Sequence, residues 1–278
     1  MTKQRFLGAT VALASVAAAG IAVIFTPIGA SATPPIRPAS VAASSINGGT
    51  GQGNCLTSGT TGRQDAQTGS LFDGWLVNSP QSYGGIYSDI DTYNPFVDAD
   101  GDVSAWTALV NVTKAENNGA IWQIGYGKAA GQTQANWFYE VHDVQIAPPF
   151  SQNFQVLLGQ AATGAHYYTV LYDNAGSTYY TLEIDNVSKF VWHSSLLPSG
   201  AQAFGETHDT NDQMVGGITD PVNFNRTLVW NPAGSSGGWK NMNGAPGVND
   251  MPTATGYGLI NDSSDTGHFT VWDKQCQQ

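Results

Sequence analysis

The sequence predicts an all-β protein, an antiparallel sandwich or jelly roll, and three observations lead there. Between Leu71 and Lys274, runs of four to eight aromatic and β-branched residues recur, each broken by Gly, Asn, Asp or Pro. No stretch carries apolar residues at i, i+3, i+4 and i+7 over three turns, so no helix separates the strands. No repeat of fixed period is present, which argues against a propeller. Many short strands without intervening helices bury their apolar faces as two packed sheets.

The strands expected, in chain order, are Ser104 to Thr113, Ala120 to Lys128, Trp137 to Ile146, Phe154 to Leu158, His166 to Tyr172, Thr178 to Ile184, Lys189 to His193, Gln202 to His208 and His268 to Asp273. Asp173-Asn174-Ala175-Gly176 reads as a hairpin turn between two Tyr-rich strands, because Asn and Gly adopt positive φ at little cost. Asp185-Asn186 separates the next pair for the same reason.

The amino terminus reads as an export signal. Lys3 and Arg5 precede an apolar stretch from Phe6 to Phe25, and Ala30-Ser31-Ala32 supplies small residues for cleavage after Ala32. A membrane anchor is the alternative, since about 20 apolar residues span a bilayer. The Ala, Gly, Ser and Thr content and the Ala-x-Ala triplet favour removal, which makes the protein secreted and extracellular. Residues 33–53 are Pro-rich, then Ala/Ser-rich, then Gly-rich, with no apolar period, and read as a disordered linker or propeptide. Residues 54–278 then form a single β-sandwich domain.

Charged residues are 11% of the chain, less than half the roughly 25% usual for a soluble domain. Removing Lys3 and Arg5 leaves 10 − 2 = 8 basic against 21 acidic residues, a balance of −13. Nucleic acid is excluded as a partner, because phosphate binding needs clustered Lys and Arg. No later segment spans a membrane, and a monomer without cofactor is expected.

Several motifs have both a functional and a plain reading. Asp98-Ala99-Asp100-Gly101-Asp102 invites calcium, but Gly sits at the wrong offset for an EF-hand and the twelfth position is Leu109, so a solvated acidic turn is favoured. Gly234-Ser235-Ser236-Gly237-Gly238 satisfies GxSxG, yet the residues after it cannot form the helix a nucleophile elbow requires. Glu140-Val141-His142 and Glu206-Thr207-His208 each aim a carboxylate and an imidazole to one strand face. Were those strands neighbours, Glu140, His142, Glu206 and His208 could hold a metal; two polar faces that never meet are the favoured reading, and no metal is assigned. Tyr167, Tyr168, Tyr172, Tyr179, Tyr180, Trp122 and Trp137 exceed what one core face can bury, so some are expected to face solvent or a groove that takes sugars or extended peptides.

Four motifs, in order, resemble the eqolisins, the secreted glutamic peptidases with a concanavalin-like β-sandwich. The family pattern (S/T)AWVGIDG is met by Ser104-Ala105-Trp106-Thr107-Ala108-Leu109-Val110-Asn111, and ILQTG by Ile121-Trp122-Gln123-Ile124-Gly125. AWYEWYP is met by Trp137-Phe138-Tyr139-Glu140-Val141-His142-Asp143, and the late Glu pair by Ala201-Gln202-Ala203-Phe204-Gly205-Glu206. The resemblance spans roughly residues 70 to 230. It implies a Glu acting as general base on water and a Gln amide holding the oxyanion. Gln123 falls on the catalytic Gln, Trp106 on a conserved Trp and Glu140 on the Glu of the aromatic strand. The position of the catalytic Glu holds Gln202, which cannot be a base, and Val110 replaces an Asp.

Gln123, Glu206 and Glu140 are therefore the candidate catalytic residues, with Trp106, Gln202, Trp137 and Tyr139 as candidate substrate contacts. Glu206 stands four residues past Gln202, roughly 13 Å further along one face at about 3.3 Å per residue, which is out of reach of a water shared with Gln123 if Gln123 lies opposite Gln202. The expected function is an acid-active endopeptidase with an altered site; the alternative is a non-catalytic binder of glycan or extended peptide.

Cys55 and Cys276, the only cysteines, bracket the predicted domain and in an exported protein form a disulfide between its first and last strands. A non-reducing peptide map should show that linkage, and Cys55→Ser should lower unfolding free energy by about 2–5 kcal/mol.

Overall fold

A computed structural model describes residues 71–78, 83–95, 97, 102–111, 120–143, 152–173, 178–207, 216, 221–231, 238–242, 247–249, 257–261 and 267–273. The signal and linker, both cysteines, the acidic turn before Asp102, the turn after Asp173, the GxSxG run before Gly238 and His208 lie outside these residues.

The described residues form fifteen strands: β1 (Leu71–Asn78), β2 (Gly85–Thr92), β3 (Asp102–Asn111), β4 (Ala120–Ala129), β5 (Asn136–Asp143), β6 (Gln152–Gln160), β7 (Gly164–Asp173), β8 (Tyr179–Ile184), β9 (Val187–His193), β10 (Gly200–Thr207), β11 (Val222–Asn231), β12 (Gly238–Asn241), β13 (Gly247–Asn249), β14 (Tyr257–Asn261) and β15 (Phe269–Asp273). They form two antiparallel sheets, and no helix occurs among the described residues. The first sheet runs β13-β1-β10-β3-β4-β5-β6, and the second runs β14-β15-β11-β2-β7-β8-β9 with β12 paired to β11. The protein is thus the β-sandwich its turn and strand pattern predicts.

Alternation along each strand sorts residues between the sheets and the outer surfaces. From β3, β4 and β5 the inner face takes Ala105, Leu109, Trp122, Ile124, Tyr126 and Val141; the second sheet answers with Ile86, Ile90, Tyr168, Val170, Tyr180 and Leu182. Trp122 stacks on Tyr180 with ring centroids 3.6 Å apart, and Tyr139 stacks on Phe190 at 4.4 Å. Each such pair adds about 0.5–1.5 kcal/mol beyond the area it buries.

The core also carries polar ties. Ser88 Oγ on β2 lies 3.4 Å from the hydroxyls of Thr107 on β3 and Thr227 on β11, and Thr107 donates on to the Gln202 carbonyl of β10 at 3.2 Å. This chain joins the two sheets at their centre and satisfies hydroxyls that burial would otherwise penalise. Tyr168 Oη shares a hydrogen bond with Thr92 at 2.8 Å and accepts one from Trp137 Nε1 at 3.2 Å.

The expected surplus of aromatics is mostly absorbed here. Trp122, Tyr168, Tyr172 and Tyr180 are buried, Tyr167 and Trp137 are half-buried, and only Tyr179 of the seven is exposed. Two facing sheets supply twice the apolar wall that a single core face offers.

Several strands escape the sequence pattern. β1, β2 and β11 carry Asp, Asn or Gly within their runs, which reads as loop from sequence; for β2 and β11 the pairing of those residues explains the strands. Asp91 on β2 accepts from Asn223 Nδ2 at 2.7 Å and from Asn225 Nδ2 at 3.1 Å, and Asn225 occupies the bulge of β11 between Phe224 and Arg226.

The Asp185-Asn186 turn is as expected: both residues have positive φ, 54° and 62°, and they join β8 to β9 directly. Asp185 also clamps β7, accepting the Tyr167 backbone N–H at 3.0 Å and meeting His166 Nδ1 at 2.8 Å. Burial works to raise its pKa, but the hydrogen bonds from His166 and Tyr167 and the charges of His166 and Lys189 prevail and hold it below the ordinary carboxylate range. A depressed folded pKa stabilises above the unfolded value of about 4 and is lost as pH falls through the folded value. Asp185→Asn should therefore unfold at lower denaturant than wild type at pH 5, with the gap closing as pH drops below about 4; a gap that widens on acidification would contradict the clamp.

Candidate functional site: a polar cleft on the outer face of the first sheet

Strand register sets the outer face of the first sheet in rows. One row reads Leu76, Gln202, Ala108, Gln123, Glu140 and Gln155 across β1, β10, β3, β4, β5 and β6. The next reads Gly74, Phe204, Trp106, Gly125, Phe138 and Leu157, and a third reads Phe72, Glu206, Ser104, Gly127 and Asn136. Paired residues of neighbouring strands share a face, with Cβ atoms about 4.5–5.5 Å apart. Gln123 and Glu140 are such a pair.

A cleft of about 200 Å³ crosses these rows. Gln123, Glu140 and Gln155 line one end, Phe138 and Leu157 flank the middle, and Ser104, Gly127, Glu206 and Asp102 line the other end. Gln123 is only 6% exposed, and its amide group makes no hydrogen bond among the described residues. Leu157, at 53%, is a large apolar group left open at the rim.

Glycine makes the cleft continuous. A Cβ on Gly125 would meet the Ala105 carbonyl oxygen at 2.2 Å and Trp106 Cβ at 2.6 Å, so only glycine lets Trp106 lie this close to β4. Gly127 likewise leaves no side chain between Ser104 and Phe138. Trp106, packed edge-on to Phe204 at 5.3 Å and to Phe72 at 6.4 Å, is itself buried. Its indole Nε1 donates to Glu206 Oε2 at 2.7 Å, a charge-assisted bond that draws the carboxylate back over the middle row.

Lys128 also lines the cleft, but its Nζ donates to the Pro95 carbonyl at 2.9 Å, and burial pushes its pKa down. The cleft therefore holds three carboxylates, Asp102, Glu140 and Glu206, against one amine.

Of the residues singled out from sequence, Gln123, Glu140 and Glu206 share this cleft. Gln202 does lie opposite Gln123 through Ala108, and the Glu206 backbone is two rows away as strand spacing requires. That spacing keeps Glu206 two rows from Gln123, with its side chain turned toward Trp106 over the middle row. Trp137 and Tyr139 are also corrected as substrate contacts. One residue out of phase with Glu140, they face the second sheet, Tyr139 within the core and Trp137 at its edge. The metal alternative loses its premise for Glu206, because β3 and β4 separate β10 from β5, so Glu206 is not beside Glu140 and His142; His208 lies outside the described residues. Among the described residues no group of three His, Cys, Asp or Glu could hold a metal ion.

Phe138, Asp102, Gln155 and Leu157 were not anticipated. Phe138 could have been, since it shares the parity of Glu140; the others depend on pairings that sequence does not display.

Fold and cleft together define an antiparallel β-sandwich with an acidic, amide-bearing groove on one outer face. Among solved structures, Scytalido-glutamic peptidase with a peptide-based transition state analog is similar at 14% identity, over 73% of this chain and 98% of that one, with a TM-score of 0.48. SCP-B, a member of the eqolisin family of peptidases, in complex with the tripeptide Ala-Ile-His, is similar at 12% identity over 73% and 98% with a TM-score of 0.47. The catalytic domain of an endo-1,3-β-glucanase from Thermotoga petrophila is similar at 11% identity over 54% and 67%, with a TM-score of 0.34. No protein-family model and no curated protein sequence matches the chain. The chemistry of the cleft rests on its own residues.

Gly125→Ala should destabilise the fold by about 1–3 kcal/mol through overpacking against the β3 backbone. Gly238→Ala, where an added Cβ meets nothing within 4 Å, should change stability by no more than about 0.5 kcal/mol. Urea unfolding of both variants measures the contrast.

Proposed function

We propose that the cleft hydrolyses peptide bonds of extended polypeptides at acid pH, with Gln123 and Glu140 as the catalytic pair. The observation that carries this reading is the Gln123 amide, borne by a residue only 6% exposed, unpartnered among the described residues, and set one strand from a carboxylate in a cleft open to substrate. Set in the wall of an open cleft, the amide meets solvent until a substrate arrives. Here it is a preorganised donor awaiting an acceptor.

In this reading a water sits between Glu140 and the scissile carbonyl. Glu140 takes the water proton as the oxygen attacks carbon, and the Gln123 amide N–H donates to the oxyanion that forms. The tetrahedral intermediate collapses, the C–N bond breaks, and the proton held by Glu140 passes to the departing amine. Water is consumed and no cofactor is required. Gln202, in the row of Gln123, has no base function and faces the substrate backbone as a hydrogen-bonding group. The balance of 8 basic to 21 acidic residues after signal removal suits acid conditions, since few cations remain to repel one another once carboxylates are protonated. The export signal supports action outside the cell.

Gln202 at the position where the resembled motif carries Glu favours a second reading, a sandwich that binds extended peptide or glycan without cleaving it. Digestion of an unfolded protein from acid to neutral pH separates the two. Wild type should cleave at acid pH, Gln123→Ala should lose about 10²–10³-fold in kcat, and Glu140→Gln about 10²–10⁴-fold, each with unchanged circular dichroism. Folded wild type that cleaves at no pH would replace hydrolysis with binding.

A further inference from the structure

The cleft extends well past Gln123 and Glu140, and its far end has a chemistry of its own. Along β4 the outer face passes from Gln123 through Gly125, against which Trp106 packs, to Gly127, roughly 6.6 Å per step of two residues. The first step is flanked by apolar Phe138 on β5, with the open Leu157 beyond it on β6. Beyond them stand Glu206, Ser104 and Asp102. Glu206 is not a loose surface carboxylate, because Trp106 Nε1 fixes one of its oxygens at 2.7 Å. Among the described residues the one cation lining the cleft, Lys128, is turned to the Pro95 carbonyl.

A side chain entering from the Gln123 end would meet apolar surface first and negative charge last. That order matches an apolar stem with a cationic head, the build of lysine and arginine, whose methylenes pack on apolar walls while the charge stays at the polar end. A neutral apolar side chain would bring no opposite charge to the carboxylates, and an acidic one would face three like charges, Asp102, Glu140 and Glu206.

We propose that the Glu206 end of this cleft receives a lysine or arginine side chain of the bound peptide adjacent to the bond placed at Gln123, with Glu206 and Asp102 as the residues that select it. This rests on the cleft being a peptide site, as proposed above, and it assigns Glu206 to selection and not to proton transfer.

The test uses matched peptides that carry Lys, Arg, norleucine or Glu at one position, offered to the whole mature chain at pH 5. Cleavage is read as kcat/KM, and binding of the same peptides, fluorescently labelled, is read in parallel by anisotropy. Lys and Arg peptides should exceed the norleucine peptide at least tenfold in both measurements, with Glu the poorest. Glu206→Gln, which keeps an oxygen to accept from Trp106, should bring the Lys-to-norleucine ratio close to one, and Asp102→Asn should reduce it. If no peptide is cleaved yet the Lys peptide binds tenfold tighter and Glu206→Gln abolishes that preference, selection stands and hydrolysis falls. Equal binding of Lys and norleucine peptides by wild type, or a ratio unchanged in Glu206→Gln, overturns the proposal whatever the cleavage result.

Discussion

The register of β4 between β3 and β5 is the constraint on which the rest depends. Trp122, Ile124 and Tyr126 are fully buried against the second sheet, so β4 cannot slip by one residue without exposing all three. That same locking forces Gln123, Gly125 and Gly127 outward. An apolar requirement on one face thus positions a polar group on the other, and the Gln123 amide is held by a core it does not touch.

From this follows the arrangement of the cleft. β5 pairs with β4 in one register, which places Glu140 beside Gln123 and Phe138 beside Gly125. β3 pairs on the other side and lays Trp106 over Gly125, where the missing side chain admits the indole. Trp106 then reaches Glu206 from the next strand. Each placement depends on the one before it. The Ser88, Thr107 and Thr227 hydroxyls, linked through Thr107 to the Gln202 carbonyl, tie this sheet to the second at the same level.

Under the proposed reading, the cleft divides its polar groups by role. Gln123 is a neutral donor set close to one carboxylate, while Glu206 is a charged acceptor committed to an indole and separated from Gln123 by an apolar row. A general base and a selecting charge make opposite demands: the first must give up its proton within each cycle, and the second must remain ionised and fixed. Separate carboxylates in separate surroundings can meet both demands in one small groove.

The sequence by itself determined the class of fold, nine of the strands to within about two or three residues at their described ends, the Asp185-Asn186 turn, and Gln123, Glu140 and Glu206 as the residues of interest. These are local properties: alternation, turn chemistry and short motifs are written in neighbouring residues. It did not show β1, β2 and β11, whose Asp, Asn and Gly residues read as turns until Asp91 is seen held by Asn223 and Asn225. Tertiary structure alone decided that Trp137 and Tyr139 face inward, that two strands separate β10 from β5, and that Glu206 shares a cleft with Gln123 and Glu140. Strand order and side-chain direction arise from pairings between residues as distant as Trp106 and Glu206, and from space left by glycines, so no local pattern in the sequence could announce them.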